Sequence, residues 1–485
     1  MSGTAPDPTA LRPEPGDDSS AVAVRSTALP VDPYDGAVPV AAAGASLIHD
    51  PIARVVWRVG VPAVASNLLM IVFSVVDAFW VGRRLGAIAL AAVTTSLFWI
   101  WLFISIAEMI GVGLTAVAAR RHGEGRPGEA ALAVGDALLY ALGLGLAVAA
   151  AGTIALPALF AAMHTPAEVT ALGKTYLGTY LLGAPGIFCY FAVDAAFRAQ
   201  GDTRTPLLLL ASSVAITLVL DPVLILGLAG APRLGLVGAA IATVSVRGAA
   251  CVAGVGLLVR RGMVRFAHFG SRALRALATI SRIGAPTALT GVLFSLIYVI
   301  ITRTASQFGT PALAAMGLGF RVESWIYVIG VGFGAAAAAI VGQNLGAGDI
   351  GRAERAGWIT VAFATAPASL AAAVELLFPQ QLAGFFTHER PLILETAHYL
   401  RIAALSQLCV GAEVVFEGAM GGAGDTVPPM VWSTTCTAAR IPLASWSAAR
   451  WGTGGLWTII AATAALRGLG MAALWRIGWW KRKVV

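Results

Sequence analysis

Apolar positions along this chain run in long unbroken blocks. They do not alternate with polar ones, and short turns rich in Gly, Pro and Arg separate them. Crossing a bilayer as a helix takes roughly 20 mainly apolar residues. Blocks of that kind fall near 60–82, 88–118, 131–155, 175–197, 205–228 and 236–259, and again near 283–304, 312–341, 357–378, 397–419, 428–448 and 455–478. A membrane β-barrel shows short alternating segments and would not contain the charge-free run Ala137–Met163. The pattern predicts an all-α polytopic membrane protein with twelve transmembrane helices.

Composition supports this reading. Of 485 residues, 58% are hydrophobic and 12% charged, about half the charge of a soluble domain. The four cysteines (Cys189, Cys251, Cys409, Cys436) all lie inside apolar blocks, which excludes an extracellular disulfide scaffold. Residues 1–50 differ in kind: seven acids, two arginines and abundant Pro, Ala, Gly and Ser, with no apolar period. This stretch is expected to be a disordered cytoplasmic tail. It lacks the basic start and apolar core of a signal peptide.

Arginine and lysine in short loops set orientation. Arg120, Arg121, Arg126, Arg198, Arg204, Arg352 and Arg355 fall in one set of connections. So do the bases of segment 260–282 and Lys481, Arg482 and Lys483. The opposite loops hold little beyond Arg83, Arg84, Lys174, Arg233, Arg390 and Arg450. Both termini are therefore expected in the cytoplasm, with the protein in the plasma (inner) membrane. Bases scattered between apolar blocks do not build a nucleic-acid face.

The two halves repeat. Arg58, Gly60 and Pro62 recur 224 residues on as Arg282, Gly284 and Pro286. At offset 223, Gly-Asp-Thr at 201–203 with Pro206 recurs at 424–426 with Pro429. At offset 220, Pro222, Thr243 and Arg247-Gly248 recur as Pro442, Thr463 and Arg467-Gly468. Six spans per half give both halves the same orientation and a pseudo-two-fold axis along the membrane normal, the parallel-repeat arrangement of rocking transporters. The expected organisation is a tail (1–50), an N-terminal lobe (51–259), a basic cytoplasmic linker (260–282), a C-terminal lobe (283–480) and a basic cytoplasmic end (481–485).

Several motifs, in order along the spans, carry a resemblance. They are the aspartate in Val76-Asp77-Ala78-Phe79-Trp80-Val81-Gly82, the stretch Arg198-Ala199-Gln200-Gly201-Asp202-Thr203, Leu220-Asp221-Pro222, and Val341-Gly342-Gln343-Asn344-Leu345-Gly346-Ala347-Gly348-Asp349. In these the chain resembles the multidrug and toxic compound extrusion (MATE) family of cation-coupled efflux transporters. The resemblance implies that Asp77 and Asp221 face an N-lobe cavity and couple transport to protons or sodium, with Na+ at Asp77 and Asp221 as the one metal to consider. Thr217 stands where the family commonly carries Asn, so an amide oxygen is exchanged for a hydroxyl.

Ionised groups inside a membrane are costly and point to function unless a structural partner is found. Thr243 is expected as a neutral ligand beside the two aspartates. Asp194, one turn before Arg198, can either pair with it or meet substrate. Glu413 and Glu417, one turn apart, are expected to attract a cationic substrate, and Trp99 and Trp101 to stack on it. Arg303, Arg321 and Glu323 are expected to neutralise one another, while Glu108 and Glu375 have no nameable partner. No phosphate loop, metal motif or Ser-Lys/His dyad is present, so an enzyme is not expected and no cofactor is called for. The expected activity is antiport of lipophilic, cationic compounds by a monomer that contacts small-molecule substrates and membrane lipid. A lipid-linked precursor flippase is the alternative, disfavoured because the N-half cavity residues read as acids.

Overall fold

The computed structural model describes residues 45–163, 166–267 and 270–485. The side chains at 45, 46, 75–79, 82, 83, 87, 229 and 310, Asp77 among them, lie outside the described residues, as does tail segment 1–44. The described chain is almost wholly helical. The spans are α2 (Ile52–Leu85), α3 (Ala87–Gly123), α4 (Pro127–Ala162), α5 (Ala167–Leu182) with α6 (Ala184–Gln200), α7 (Arg204–Leu226) and α8 (Leu236–Arg260) in the first lobe. In the second they are α9 (Ser271–Ser306), α10 (Thr310–Gly346), α11 (Ile350–Leu377), α13 (Arg390–Ala403) with α14 (Gln407–Gly422), and α15 (Val427–Ile477). Short helices α1 (Ala45–His49) and α12 (Pro379–Phe386) lie outside this set.

Helices dominate because lipid offers no hydrogen bonds, so each span must satisfy its own backbone. Among the described residues ten helices are long and apolar enough to cross, and α5 with α6, bent by 51° at Gly183, adds an eleventh. The twelfth comes from α15, whose helix breaks at Gly452 (φ 61°, ψ −146°) into two arms. The twelve-helix expectation holds, while the single straight block 175–197 is replaced by this bent pair.

The lobes are woven together at their starts. Val55, Val56 and Val59 of α2 pack in the C-lobe core with Phe333, Ala336 and Ile340 of α10. Ile280 and Ile283 of α9 pack in the N-lobe core with Ile110, Leu114 and Phe197. Glycines allow the crossing helices to approach closely. A methyl at Gly60 would strike Phe333, and its repeat equivalent Gly284 faces the Met109 backbone. Gly123 of α3 lies on the Gln343 carbonyl of α10, and Gly346 on that of Arg120. The lobes therefore close on each other at the end that carries the arginine-rich turns.

Polar ties seal that end. Thr203 donates to the Val59 carbonyl (2.8 Å), and Thr426 donates to the Ile283 carbonyl (2.6 Å). Gln343 Nε2 reaches across to the Ala199 carbonyl (2.7 Å). Asp136, buried in α4, accepts a hydrogen bond from one terminal nitrogen of Arg272 (3.1 Å) and forms an ion pair with the other (2.9 Å). This anchors segment 260–282, whose second half is already the opening of α9. The residues just before α2 pack on both lobes: Leu47 is buried against Gly201, and Asp50 pairs with Arg58 at 3.0 Å. At the other end Val485 sits against Gly424, and Lys483 pairs with Asp425 at 3.2 Å.

Candidate functional site

Two polar regions lie within the spans. The first is a small cavity of about 20 Å³ in the N-lobe. Met70 and Phe73 of α2, Tyr190 of α6, Ser213 and Thr217 of α7, and Thr243 and Arg247 of α8 line it. A cavity of that size takes about one water-sized oxygen. Thr217 is buried and returns its hydroxyl to the Ser213 carbonyl one turn back (2.9 Å), which leaves its oxygen to accept. Asp221 follows one turn later, 1% exposed, directly before the helix-interior Pro222. A proline there has no N–H to donate and frees a carbonyl in the preceding turn. Thr217 and Thr243 thus meet at the cavity between α7 and α8, and Asp221 is buried one turn beyond Thr217, outside that lining. Asp77, the fourth residue expected here, lies outside the described side chains.

Arg247 corrects the expectation that this cavity is lined only by acids. Its guanidinium rests against the Met70 sulfur (3.7 Å), with no carboxylate in ion-pair reach among the described residues. The signal was in the sequence, an arginine near the middle of an apolar block repeated as Arg467, but it was read only as part of the repeat. Tyr190, in the same lining, carried no comparable signal.

The second region sits between the lobes. Glu413 of α14 is buried, pairs with Arg467 of α15 (3.1 Å) and accepts a hydrogen bond from Ser433 (3.2 Å). The Arg467 guanidinium also lies 5.5 Å from the Phe294 ring centre, within cation–π range. Glu417, one turn on, is half-buried and without an ion-pair partner among the described residues. It feels the charges of Glu413, Arg467 and also Glu108 of α3, which belongs to the other lobe. Tyr327 of α10 feels the same three charges and that of Glu417 as well. Glu108, which the sequence left undecided, therefore faces the Glu413–Glu417 group across the seam between lobes.

Other expected groups are placed differently. Asp194 is held by Arg198 at 2.8 Å, its neighbour one turn on. Trp99 packs on the N-lobe core with Ile100, Phe160 and Tyr180, whereas Trp101 is 65% exposed; the two do not form one cluster. Glu323 does not pair with Arg303 or Arg321. It accepts from the Tyr399 hydroxyl (3.2 Å) and feels Arg440 and Arg467. Arg440, 1% exposed, donates to Thr463 (2.8 Å), the repeat equivalent of Thr243. Glu375 receives the Gln407 amide at 3.4 Å.

A bundle of twelve helices in two lobes, with buried polar groups inside the lobes and along the seam between them, defines a membrane transporter. The family model MatE matches residues 62–223 and 286–446, so one match falls on each lobe, and the chain belongs to this family of multidrug and toxic compound extrusion transporters. Among its relatives are the FAD transporter of Shewanella oneidensis (28% identical over 376 residues; 77% of this chain, 83% of that protein) and the multidrug resistance protein NorM of Burkholderia vietnamiensis (29% over 432; 86% and 92%). The Vibrio cholerae MATE transporter VcmN, in its D35N form, superposes with a TM-score of 0.82 at 22% identity, covering 91% of this chain and all of that one. A MOP superfamily transporter of Pyrococcus furiosus, described as having a binding pocket of reverse polarity, superposes equally well (TM-score 0.82, 22% identity, 90% and 97% covered).

Proposed function

We propose that this protein is a secondary-active exporter that exchanges protons or sodium ions for lipophilic organic compounds bearing positive charge. It works as a monomer in the inner membrane, with both termini in the cytoplasm. The observation that carries this reading is the pair Glu108 and Glu417. They are two carboxylates on α3 and α14, helices of opposite lobes that pack against each other, and neither forms an ion pair among the described residues. A cation seated there neutralises both lobes at once and is released when they separate. The apolar walls around the acids take the hydrocarbon part of the cargo.

The coupling ion is assigned to the N-lobe, at Asp77 and Asp221 with Thr217 and Thr243 as neutral neighbours. A carboxylate enclosed there either carries a proton or collects oxygen ligands for a cation. A cavity that takes about one oxygen suits a single small ion and excludes the organic substrate. Binding on one side of the membrane and release on the other follow if the seam opens alternately at its two ends. A lipid pyrophosphate would require several unpaired cations in the seam, and Arg467 there is already matched by Glu413.

The test is uptake of a cationic dye into inverted vesicles, with a proton gradient and a sodium gradient imposed in turn. One gradient should drive accumulation and the other should not. Accumulation that persists with both gradients collapsed would overturn the assignment.

A further inference from the structure

Two segments that flank the bundle, 47–50 and 478–485, fold back onto the arginine-rich end of the seam in matching ways. Before α2, Leu47 is 1% exposed and fills the space beside Gly201, where an added methyl would strike it. Its carbonyl is held from the other lobe, by the Asn344 amide of α10 and the Arg352 guanidinium of α11 (3.4 Å each). Arg352 also donates to the Asp50 carbonyl. After α15, Gly478 turns the chain (φ 82°), and Val485 fills the same space beside Gly424. Here too the opposite lobe supplies the donors. Arg120 of α3 donates to the Lys483 carbonyl, and Arg121 to the main-chain oxygen of Val485 (3.2 Å).

The match is a repeat relation. Gly201 and Gly424 are 223 residues apart, and so are Arg121 and Asn344. Each segment plugs the glycine of one lobe's Gly-Asp-Thr turn and takes hydrogen bonds from the end of the other lobe's second span. Leu47 thereby joins the C-lobe core, while Val485 packs on the N-lobe core. The segments themselves are unlike in sequence, Leu-Ile-His-Asp against Trp-Trp-Lys-Arg-Lys-Val-Val, so the correspondence is one of place.

Each segment is also pinned on one side. Asp50 ties the first to Arg58 of α2 (3.0 Å). In the second, Trp480 is buried and stacks on Trp475 with ring centres 4.0 Å apart, while Lys481 and Lys483 pair with Glu354 (2.7 Å) and Asp425 (3.2 Å). Closing this end draws the ends of α3 and α10 together, Gly346 lying on the Arg120 carbonyl, and with them the guanidinium groups of Arg120, Arg121 and Arg352. Like charges drawn together repel. Main-chain oxygens of the two segments answer all three.

We propose that segments 47–50 and 478–485 are paired straps that hold the arginine-rich end of the seam shut and must both release before the protein opens there. This rests on the alternate opening of the seam proposed above and names the elements that set its balance.

Spin labels on the full-length protein in nanodiscs test it by double electron–electron resonance, with the four native cysteines replaced by alanine. Arg204→Cys with Val427→Cys reports the arginine-rich end, and Ala167→Cys with Arg390→Cys the opposite end. All of these positions are exposed, and each pair is related by the 223-residue offset. Leu47→Ser and Val485→Ser should each raise the ratio of long to short distances in the first pair about tenfold, the scale of losing one docked apolar side chain. The double variant should exceed either, and Lys483→Gln should shift the ratio in the same direction by less. Leu47→Met and Val485→Ile keep the apolar volume and should keep the wild-type distances. Wild-type distances in both serine variants, or a lower Tm with no change of distance, would overturn the straps. The second pair separates the two readings. If it shortens as the first lengthens, straps and alternate opening both stand. If the first lengthens and the second does not move, the straps stand and alternate opening falls. If a saturating cationic dye moves the wild-type distances and the serine variants do not, the straps fall and alternate opening stands.

Discussion

Thr203 and Thr426 make the same hydrogen bond 223 residues apart. Each hydroxyl closes on a backbone carbonyl of its own lobe's first helix, Val59 at 2.8 Å and Ile283 at 2.6 Å. Each follows a glycine whose positive φ (92° at Gly201, 81° at Gly424) reverses the chain, a conformation other residues adopt only with strain. The Gly-Asp-Thr turns are therefore fixed points about which each lobe is built.

The first turn titrates. Burial alone would push the Asp202 carboxyl up. Hydrogen bonds from the Thr205 hydroxyl (2.6 Å) and backbone N–H (3.0 Å), and Arg261 at 2.7 Å, outweigh it and hold the carboxyl below its ordinary value. A depressed folded pKa contributes stability above the unfolded value that is lost as pH falls through the folded one. Asp202→Asn should therefore lower the Tm fully at pH 7. In thermal unfolding scans at stepped pH, the gap to wild type should narrow only below the ordinary aspartate range, about pH 4. A gap that is the same at pH 7 and pH 3 would remove the ion pair as its cause.

Glu413 and Glu417 should separate stability from transport. Glu413→Ala strands the buried Arg467 and should cost about 3–5 kcal/mol, read as a lower Tm of purified protein. Glu417→Ala removes a half-buried acid with no ion-pair partner among the described residues, so its Tm should stay near wild type while dye export falls.

Gly123→Ala should force the lobes apart at the arginine-rich end, because the added methyl overlaps the Gln343 carbonyl. Overpacking of this kind costs about 1–3 kcal/mol, enough to move a two-state equilibrium by about fivefold to a hundredfold. Cysteines placed across the seam near that end should crosslink less efficiently than in the parent. Gly143→Ala, with open space around its methyl, is the control and should crosslink normally.

Asp77→Asn and Asp221→Asn should each abolish gradient-driven export while leaving the protein inserted, because an amide cannot cycle a proton and is a weaker cation ligand. Export at wild-type rates by both variants would show that coupling resides elsewhere.

The spans were legible because bilayer thickness imposes a length that apolar blocks display directly. The bend at Gly183 was not, since Leu182-Gly183-Ala184 interrupts the helix without interrupting its hydropathy. The repeat was legible in Gly-Asp-Thr, whose turn needs that glycine. The coupling of Glu108 to Glu417 was invisible because 309 residues separate them and only the packing of α3 near α14 brings them together. Asp194 showed both of its readings in sequence, and its contact with Arg198 is set by helical spacing alone. Arg247 was hidden by the same rule that gave the topology, which reads arginines as markers of loops.

The crossing of the first helices also fixes how the halves can combine. Two N-type lobes would offer the N-lobe core a second α2, with Val56 and Val59 where Ile280 and Ile283 of α9 sit. Two C-type lobes would offer the C-lobe core a second α9 in place of Val55, Val56 and Val59 of α2. Neither self-pairing fills both cores. If the lobes were expressed as separate chains, only the unlike pair would complement, and the single polypeptide guarantees that stoichiometry.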